Sequence, residues 1–347
     1  MSDSRISTES PIQVGLIGTG YAAKLRAESL EQDSRARLCA VAGHSLDRTA
    51  AFSQTYGAAA FASWAELLDQ AAVDLVIVAT VNRDHGTITR AALEAGKHVV
   101  VEYPLSLDVA EAEALLTLAH ERDRLLHVEH IELLGGMHRA LKANIAAVGN
   151  PFYSRYATIN PQRPAPHKWT YNSDLFGFPL IGALSRLHRL TDLFGSVATV
   201  TCQLRYWPSD LDPDAPYYRA CLCTAHLAFT AGVIAEVTYG KGEFLWHPER
   251  RLEVHGESGA LIFDGDQGKL IQAEAERPIE VGSRRGLFGK DTTLVLDHLS
   301  KGRPLYVTPE ASIYALKVGE AARRSALLGE TIALEVSEQE QRFLEGW

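Results

Sequence analysis

Along the first third of the chain, short and wholly apolar runs alternate with segments whose apolar residues recur at helical spacing. Residues 12–20, IQVGLIGTG, are an apolar run closed by glycines, and Tyr21 to Leu30 follows with the three-to-four spacing of a helix. The alternation returns in ARLCAVAG (36–43), VDLVIVAT (73–80) and KHVVVEYP (97–104), and LLHVEH (125–130) leads a fifth strand into a helix. Continuous apolar strands separated by helices predict a parallel sheet covered on both faces, since each parallel connection crosses over through a helix. Near residue 150 the period changes to two. PFYSRYATI, ATVTCQLRYW, CLCTAHLAFT, VIAEVTYGKG, RRLEVHGESG and ALIFDG are strand-like runs separated by turn residues, and ASIYALKVGEAARRSALLG predicts a closing helix over about 310–329. This pattern predicts an α+β domain with a large, mainly antiparallel sheet, placed after the first domain.

Length and composition sharpen this division. A chain of 347 residues is too long for one ordinary core. The polar opening MSDSRISTES reads as a short disordered leader over 1–10, with a first domain over 11–130 and a second over 131–347. A formal charge of −9 argues against a nucleic-acid partner, and no uninterrupted apolar run is long enough to span a membrane. The four cysteines are sparse, and Cys221 and Cys223 lie two apart on one strand face, where two buried thiols are the simplest reading. A reducing cytoplasm is expected. Against a negative overall field, any site for an anionic ligand must gather its positive charge locally.

The first such site lies at the head of the chain. Gly18-Thr19-Gly20-Tyr21-Ala22-Ala23 is G-x-G-x-x-A between a strand and a helix. Gly18 permits the tight turn, Gly20 lets a pyrophosphate approach the backbone, and Ala23 is small enough for the helix to pack on the strand. The helix N-terminus then faces the phosphates. With its repeating strand–helix units, this is an α/β Rossmann nucleotide-binding domain. The second strand ends Ala42-Gly43-His44-Ser45, with no carboxylate before Asp47 to bond a free ribose 2′-hydroxyl. His44, Ser45 and Arg48 instead offer donors and positive charge for a 2′-phosphate, so NADPH is expected over NADH. Ligands of such sheets sit beyond the strand ends. That places Thr80, Asn82, His85 and Glu102 beside the cofactor, with Tyr103 held extended before Pro104.

Basic and aromatic residues cluster in the second domain. RPAPHKWTY (163–171) carries Trp169 among cations, GFPLIGALSRLHRLTDLFG (177–195) sets Arg186 and Arg189 three apart on one helix face, and GSRRGLF (282–288) presents Arg284 and Arg285 in a loop. Paired arginines suit carboxylates and neighbouring rings suit a flat conjugated ligand, which points to an extended anionic substrate. His127, Glu129 and His130 invite a metal reading, but alternation along a strand puts His130 on the face opposite the other two, so no metal site is expected.

The glycine motif, TVNRDHG (80–86), AGKHVVVE (95–102) and the following sheet pattern together resemble the glucose–fructose oxidoreductase-like dehydrogenases. In most of that family the fourth strand ends Glu-Lys-Pro, and a later helix supplies Asp-x-x-x-His. Here Tyr103 replaces the lysine, and Ser185, Arg186 and His188 occupy the segment where the pair belongs. VEYPL (101–105), LLHVEHIELLGG (125–136), FGFPLIGALSR through LFG (176–195), YGKGE (239–243) and GSRRGLF look instead like the biliverdin reductases, most closely the cyanobacterial type. The resemblance runs from about residue 11 to 330. It implies a monomeric cytoplasmic enzyme that moves a hydride from NADPH to the C10 methine of biliverdin, giving bilirubin. It implies Arg186 as the essential group, acting electrostatically, with Tyr103 positioning the ligand and Arg189 as a second anion contact. Tyr103, His130, Trp169, Arg186, Arg189, Lys241, Arg284 and Arg285 make up the expected substrate set. Two other readings stay open: a different NADP-dependent reductase of the same family, and a non-catalytic bilin- or NADPH-binding regulator.

Overall fold

The computed structural model describes residues 10–69, 72–208 and 216–335. The expected leader over 1–10 lies outside the described residues except for Ser10. The chain divides into two units, one built from residues up to Leu134 together with Arg285–Ile313, the other from Gly135–Arg284 together with the chain from Tyr314 on. The first unit thus runs a few residues past the expected boundary at 130, and a later segment returns to it.

The first unit holds a parallel sheet of β1 (Ile12–Ile17), β2 (Ala36–Ala42), β3 (Ala59–Phe61), β4 (Leu75–Val78), β5 (His98–Glu102) and β6 (Leu126–Glu129), in the order β3-β2-β1-β4-β5-β6. Strand order reverses beside β1, which opens a crevice at the carboxyl ends of β1 and β4. Val14, Leu16, Val76, Ile77, Val99 and Val100 are buried, as strands covered on both faces require. The short edge strand β3 was absent from the sequence expectation. The helix Leu287–Lys301 in the returning segment packs on the helix Tyr21–Glu31 that follows the glycine turn. Val295, Leu296 and Leu299 join Ala23, Ala27 and Leu30 in one apolar cluster, so the returning segment is part of this core.

The second unit is built on a nine-stranded sheet. Its strands are β7 (Pro151–Pro161), β8 (Val197–Pro208), β9 (Tyr218–Phe229), β10 (Ile234–Gly242), β11 (Glu249–Gly256), β12 (Gly259–Asp264), β13 (Gln267–Gln272), β14 (Ala275–Ile279) and β15 (Ile332–Ala333). They run β14-β13-β12-β11-β7-β10-β9-β8-β15 and are antiparallel throughout except where β7 meets β10. The closing helix is Pro309–Leu328, one residue from the expected bounds at either end. Cys221 and Cys223 lie buried on one face of β9 as expected, all four cysteines are free thiols, and Cys202 Sγ lies 3.6 Å from Cys223 Sγ. Among the described residues no helix is long and apolar enough to cross a membrane, and no group of three or more His, Cys, Asp or Glu is arranged to hold a metal ion.

Candidate functional site

In the first unit the glycine turn stands where β1 passes into the helix Tyr21–Glu31. Gly18 has φ +126°, and a side chain there would collide with the Ala79 carbonyl, so the turn requires glycine. Gly20 caps the helix, Tyr21 is exposed, and a Cβ on Gly20 would meet only open space, which is the room a phosphate needs above a helix N-terminus. A Cβ on Gly43 would meet Thr19 at 3.0 Å, so the end of β2 lies against the same turn. His44 and Arg48 are exposed there and Ser45 caps the helix Leu46–Tyr56, which leaves basic and hydroxyl groups beside the turn. These residues fit a dinucleotide carrying a 2′-phosphate.

Other expected cofactor contacts prove to be internal. Asn82 and His85 are buried. His85 Nδ1 lies 2.8 Å from the Pro104 carbonyl and Nε2 lies 3.4 Å from that of Thr80, so the ring clasps the loops that follow β4 and β5. Burial holds this imidazole below its ordinary pKa, against the pull of the Pro104 bond. The Glu102 carboxylate accepts from Arg26 Nε at 3.1 Å and Nη2 at 3.0 Å. His85 and Glu102 thus brace the loops around the crevice.

Arg26 was not foreseen, because it follows the glycine motif on a helix that otherwise reads as plain. It lies on the buried stripe Ala23, Arg26, Ala27 and Leu30, and meets Asp291 from the returning helix. Asp291 also receives His127 Nε2 at 2.8 Å and the Tyr306 hydroxyl at 2.7 Å. Burial alone would raise the Asp291 pKa, but the Arg26 and His127 charges hold it well below the usual range. Opposite Glu102 on β6 sits Glu129, whose pKa is pushed well up, first by burial and then by the neighbouring Glu102 charge. The expected face pattern of HVEH is corrected too: β6 ends at Glu129, and His130 lies beyond it.

His130 is fully buried and bonds Ser312 Oγ through Nε2 at 2.8 Å, so it is not an open contact surface. Its ring stacks on that of Tyr103, with centroids 5.1 Å apart and planes 8° apart. Tyr103 is half-buried, and its bond to Pro104 is cis. The strand that ends on Glu102, Tyr103 and Pro104 therefore sends the carboxylate inward to Arg26, lays the phenol on His130, and gives a carbonyl to His85.

In the second unit the expected substrate residues separate into three places. Arg186, Lys241 and Trp169 gather around one aromatic group. The Arg186 guanidinium lies 5.4 Å from the Tyr239 ring centre and Lys241 Nζ lies 5.6 Å from it. Trp169 packs on Phe176, which is itself stacked near Tyr239. Lys241 is nonetheless buried, with Nζ donating to the Thr170 carbonyl. The motif around it has a steric cause: Gly242 has φ +110°, and a Cβ there would strike the Arg219 carbonyl. Arg189 is 1% exposed and sits over Tyr156, 5.6 Å from its centre, which departs from an open anion contact. Near it, His138 Nε2 bonds Asp192 at 2.7 Å. Arg284 and Arg285 are exposed where the chain leaves the second unit.

A doubly wound sheet with an open glycine turn defines a dinucleotide-binding protein. Residues 12–130 match the NAD-binding Rossmann fold of an oxidoreductase family, and residues 142–334 match the C-terminal alpha/beta domain of the same family. The chain belongs to this oxidoreductase family. A crystal structure of biliverdin reductase from Synechocystis sp. PCC 6803, in complex with biliverdin and NADP+, is 51% identical with a TM-score of 0.88, covering 91% of this chain and 99% of that one. Biliverdin reductase A of Mus musculus is 30% identical over 235 residues, and that of Homo sapiens is 27% identical over 242 residues. These alignments span 66% and 68% of the mouse and human proteins, about two thirds of their length.

Proposed function

We propose that this chain is an NADPH-dependent biliverdin reductase, reducing the C10 methine of biliverdin to give bilirubin. The observation that carries the reading is the likeness to the Synechocystis biliverdin reductase over 99% of that protein's length. The residues around Arg186 agree with it, since a guanidinium among large rings suits a flat ligand bearing propionates. The absence of a lysine at position 103 separates the chain from sugar dehydrogenases, whose acid/base work that lysine assists.

NADPH supplies the hydride when bound. The chain's residues hold and orient the reactants. The glycine turn and the N-terminus of Tyr21–Glu31 receive the pyrophosphate, and His44, Ser45 and Arg48 receive the 2′-phosphate. Arg186 holds a propionate or polarises a water that brings the proton, because a guanidinium does not itself release one. Tyr103, its ring fixed on His130, positions the ligand through its face and hydroxyl. Arg189, enclosed over Tyr156, supports the helix Ser185–Phe194 on which Arg186 stands. The protein acts as a monomer in the cytoplasm, where its four free thiols suit the reducing conditions.

Purified protein mixed with biliverdin and NADPH is expected to turn from blue-green to yellow, faster than with NADH. Arg186→Ala is expected to lower kcat about 100-fold, the usual scale for losing one electrostatic contact to a reacting group. Tight NADPH binding without any conversion overturns the enzyme reading in favour of a binding protein.

A further inference from the structure

We propose that Lys241 is a positioning residue for anion binding by the second unit: caged by rings and sharing Tyr239 with Arg186, its protonated form fixes the Trp169–Tyr171 turn and strengthens the hold of Arg186 on a carboxylate. The inference rests on the reading that Arg186 binds a propionate of biliverdin.

Lys241 Nζ lies 3.8 Å from the Phe176 ring centre, 4.9 Å from Tyr171, 5.5 Å from Tyr218 and 5.6 Å from Tyr239. With 4% of its surface exposed, it works through what it holds. It donates to the Thr170 carbonyl, which also accepts the Tyr218 hydroxyl at 3.0 Å, and so it ties β10 to the turn that carries Trp169. Its charge is met by ring faces and a carbonyl, whose partial charges stabilise a cation without neutralising it. The remaining field therefore adds to that of Arg186 across the shared ring.

The groups facing the ammonium come from every neighbouring element. β9 contributes Cys221, its register partner, and Tyr218, behind which Tyr206 of β8 packs; β10 itself contributes Tyr239. The turn contributes Tyr171, the helix Ser185–Phe194 contributes Arg186, and β7 places uncharged Asn160 opposite. Burial pushes the Cys221 thiol and the Tyr171, Tyr206 and Tyr218 phenols upward, Tyr171 to about 12. Lys241 moves the other way. Burial and then the Arg186 charge, opposed by Cys221, bring it down to about 8. A carboxylate reaching Arg186 offsets part of the repulsion that lowers Lys241, so binding raises the lysine's proton affinity. By reciprocity, the protonated lysine raises affinity for the carboxylate. Binding is therefore strongest below about pH 8 and weakens as the pH rises through it.

The test is the dissociation constant of biliverdin, read from its visible spectrum with NADP+ present, from about pH 6.5 to about pH 9.5. For the natural protein a weakening of about tenfold is expected, equal to a one-unit rise in the lysine's pKa on binding. Lys241→Met should bind weakly with a flat profile, raising KM and leaving kcat nearly unchanged, while Lys241→Arg should keep the charge and bind tightly with a flat profile. A flat profile in the natural protein overturns the proposal without any variant, as does an unchanged slope in Lys241→Met. Failure of the natural protein to bind biliverdin at any pH overturns the underlying functional reading as well, an outcome distinct from binding that ignores pH.

Discussion

Arg26 in the first unit and Lys241 in the second are both closed off from water, yet their surroundings differ in sign. Arg26 meets two carboxylates, Asp291 and Glu102, and its pKa is raised above the ordinary value because their attraction outweighs the effect of burial. Lys241 meets rings, a carbonyl and the like charge of Arg186, and its pKa falls, chiefly through burial that no carboxylate offsets and then through the Arg186 charge. A cation neutralised on both sides is a fixture of the fold, since no ligand can gain from a field already spent. A cation left partly uncompensated retains attraction for an incoming anion. Burial therefore does not separate structural from functional charge, whereas the sign of the neighbours does.

Removing Arg26 tests the first half of this contrast most severely. Arg26→Met leaves the buried Asp291 and the half-buried Glu102 without their cation and is expected to cost about 3–5 kcal/mol, read from the denaturant midpoint. A loss below about 1 kcal/mol would show that the pairing does not hold the two helices together.

Acid should cost the second unit stability. His188 is fully buried, and burial, with a smaller contribution from His138 and against Asp192, holds its pKa at about 4. The unfolded chain takes up this proton near pH 6.5, so stability falls as the pH drops from about 6.5 to about 4, by on the order of 3 kcal/mol. Asp291 behaves differently. Its lowered pKa keeps the Arg26 pair intact until well below the ordinary carboxylate range. Denaturation curves of His188→Gln should show a flatter acid limb, and an unchanged limb would assign the loss to other groups.

Tyr103→Phe keeps the ring on His130 and removes only the hydroxyl. A positioning role predicts a fall in kcat/KM of less than about tenfold, whereas a loss of 100-fold or more would make the phenol a proton donor. The smallest effect is expected for the stability of Lys241→Met. Its loss removes a desolvated charge, and the Thr170 carbonyl keeps the Tyr218 hydroxyl, so the midpoint should move by less than about 1 kcal/mol. A loss as large as that of Arg26→Met would erase the contrast.

The two arrangements were unequally legible in the sequence. Long strands announced themselves: β1, β4 and β5 through unbroken apolar runs, β7 to β12 through alternation. β13 and β14 gave little signal, because they lie at the edge of the sheet, with five consecutive exposed residues from Glu274 to Pro278 and a proline that only an edge strand tolerates. The helix Leu287–Lys301 was hidden by its own chemistry. Its buried face carries Asp291, Thr292 and Asp297 between leucines and valines, which breaks the apolar period. The glycine turn was readable because backbone geometry dictates glycine at Gly18. The inward turn of Glu102, the enclosure of Lys241 and the burial of Arg189 depend on partners far along the chain, and local spacing carries no trace of them.

The returning segment also bears on how the protein is made. During synthesis every strand of the nucleotide sheet leaves the ribosome well before Asp291, Thr292 and Tyr306 exist, so Arg26 and His127 must wait for strands β7 to β14 to be translated before their partner arrives. Domains that close early can fold as they emerge, but this one has its lock at the far end of the chain. A fragment ending at residue 134 is expected to aggregate or stay loosely packed. A fusion of residues 10–134 to 285–313 through a flexible linker should give a cooperative thermal transition and retain NADPH binding.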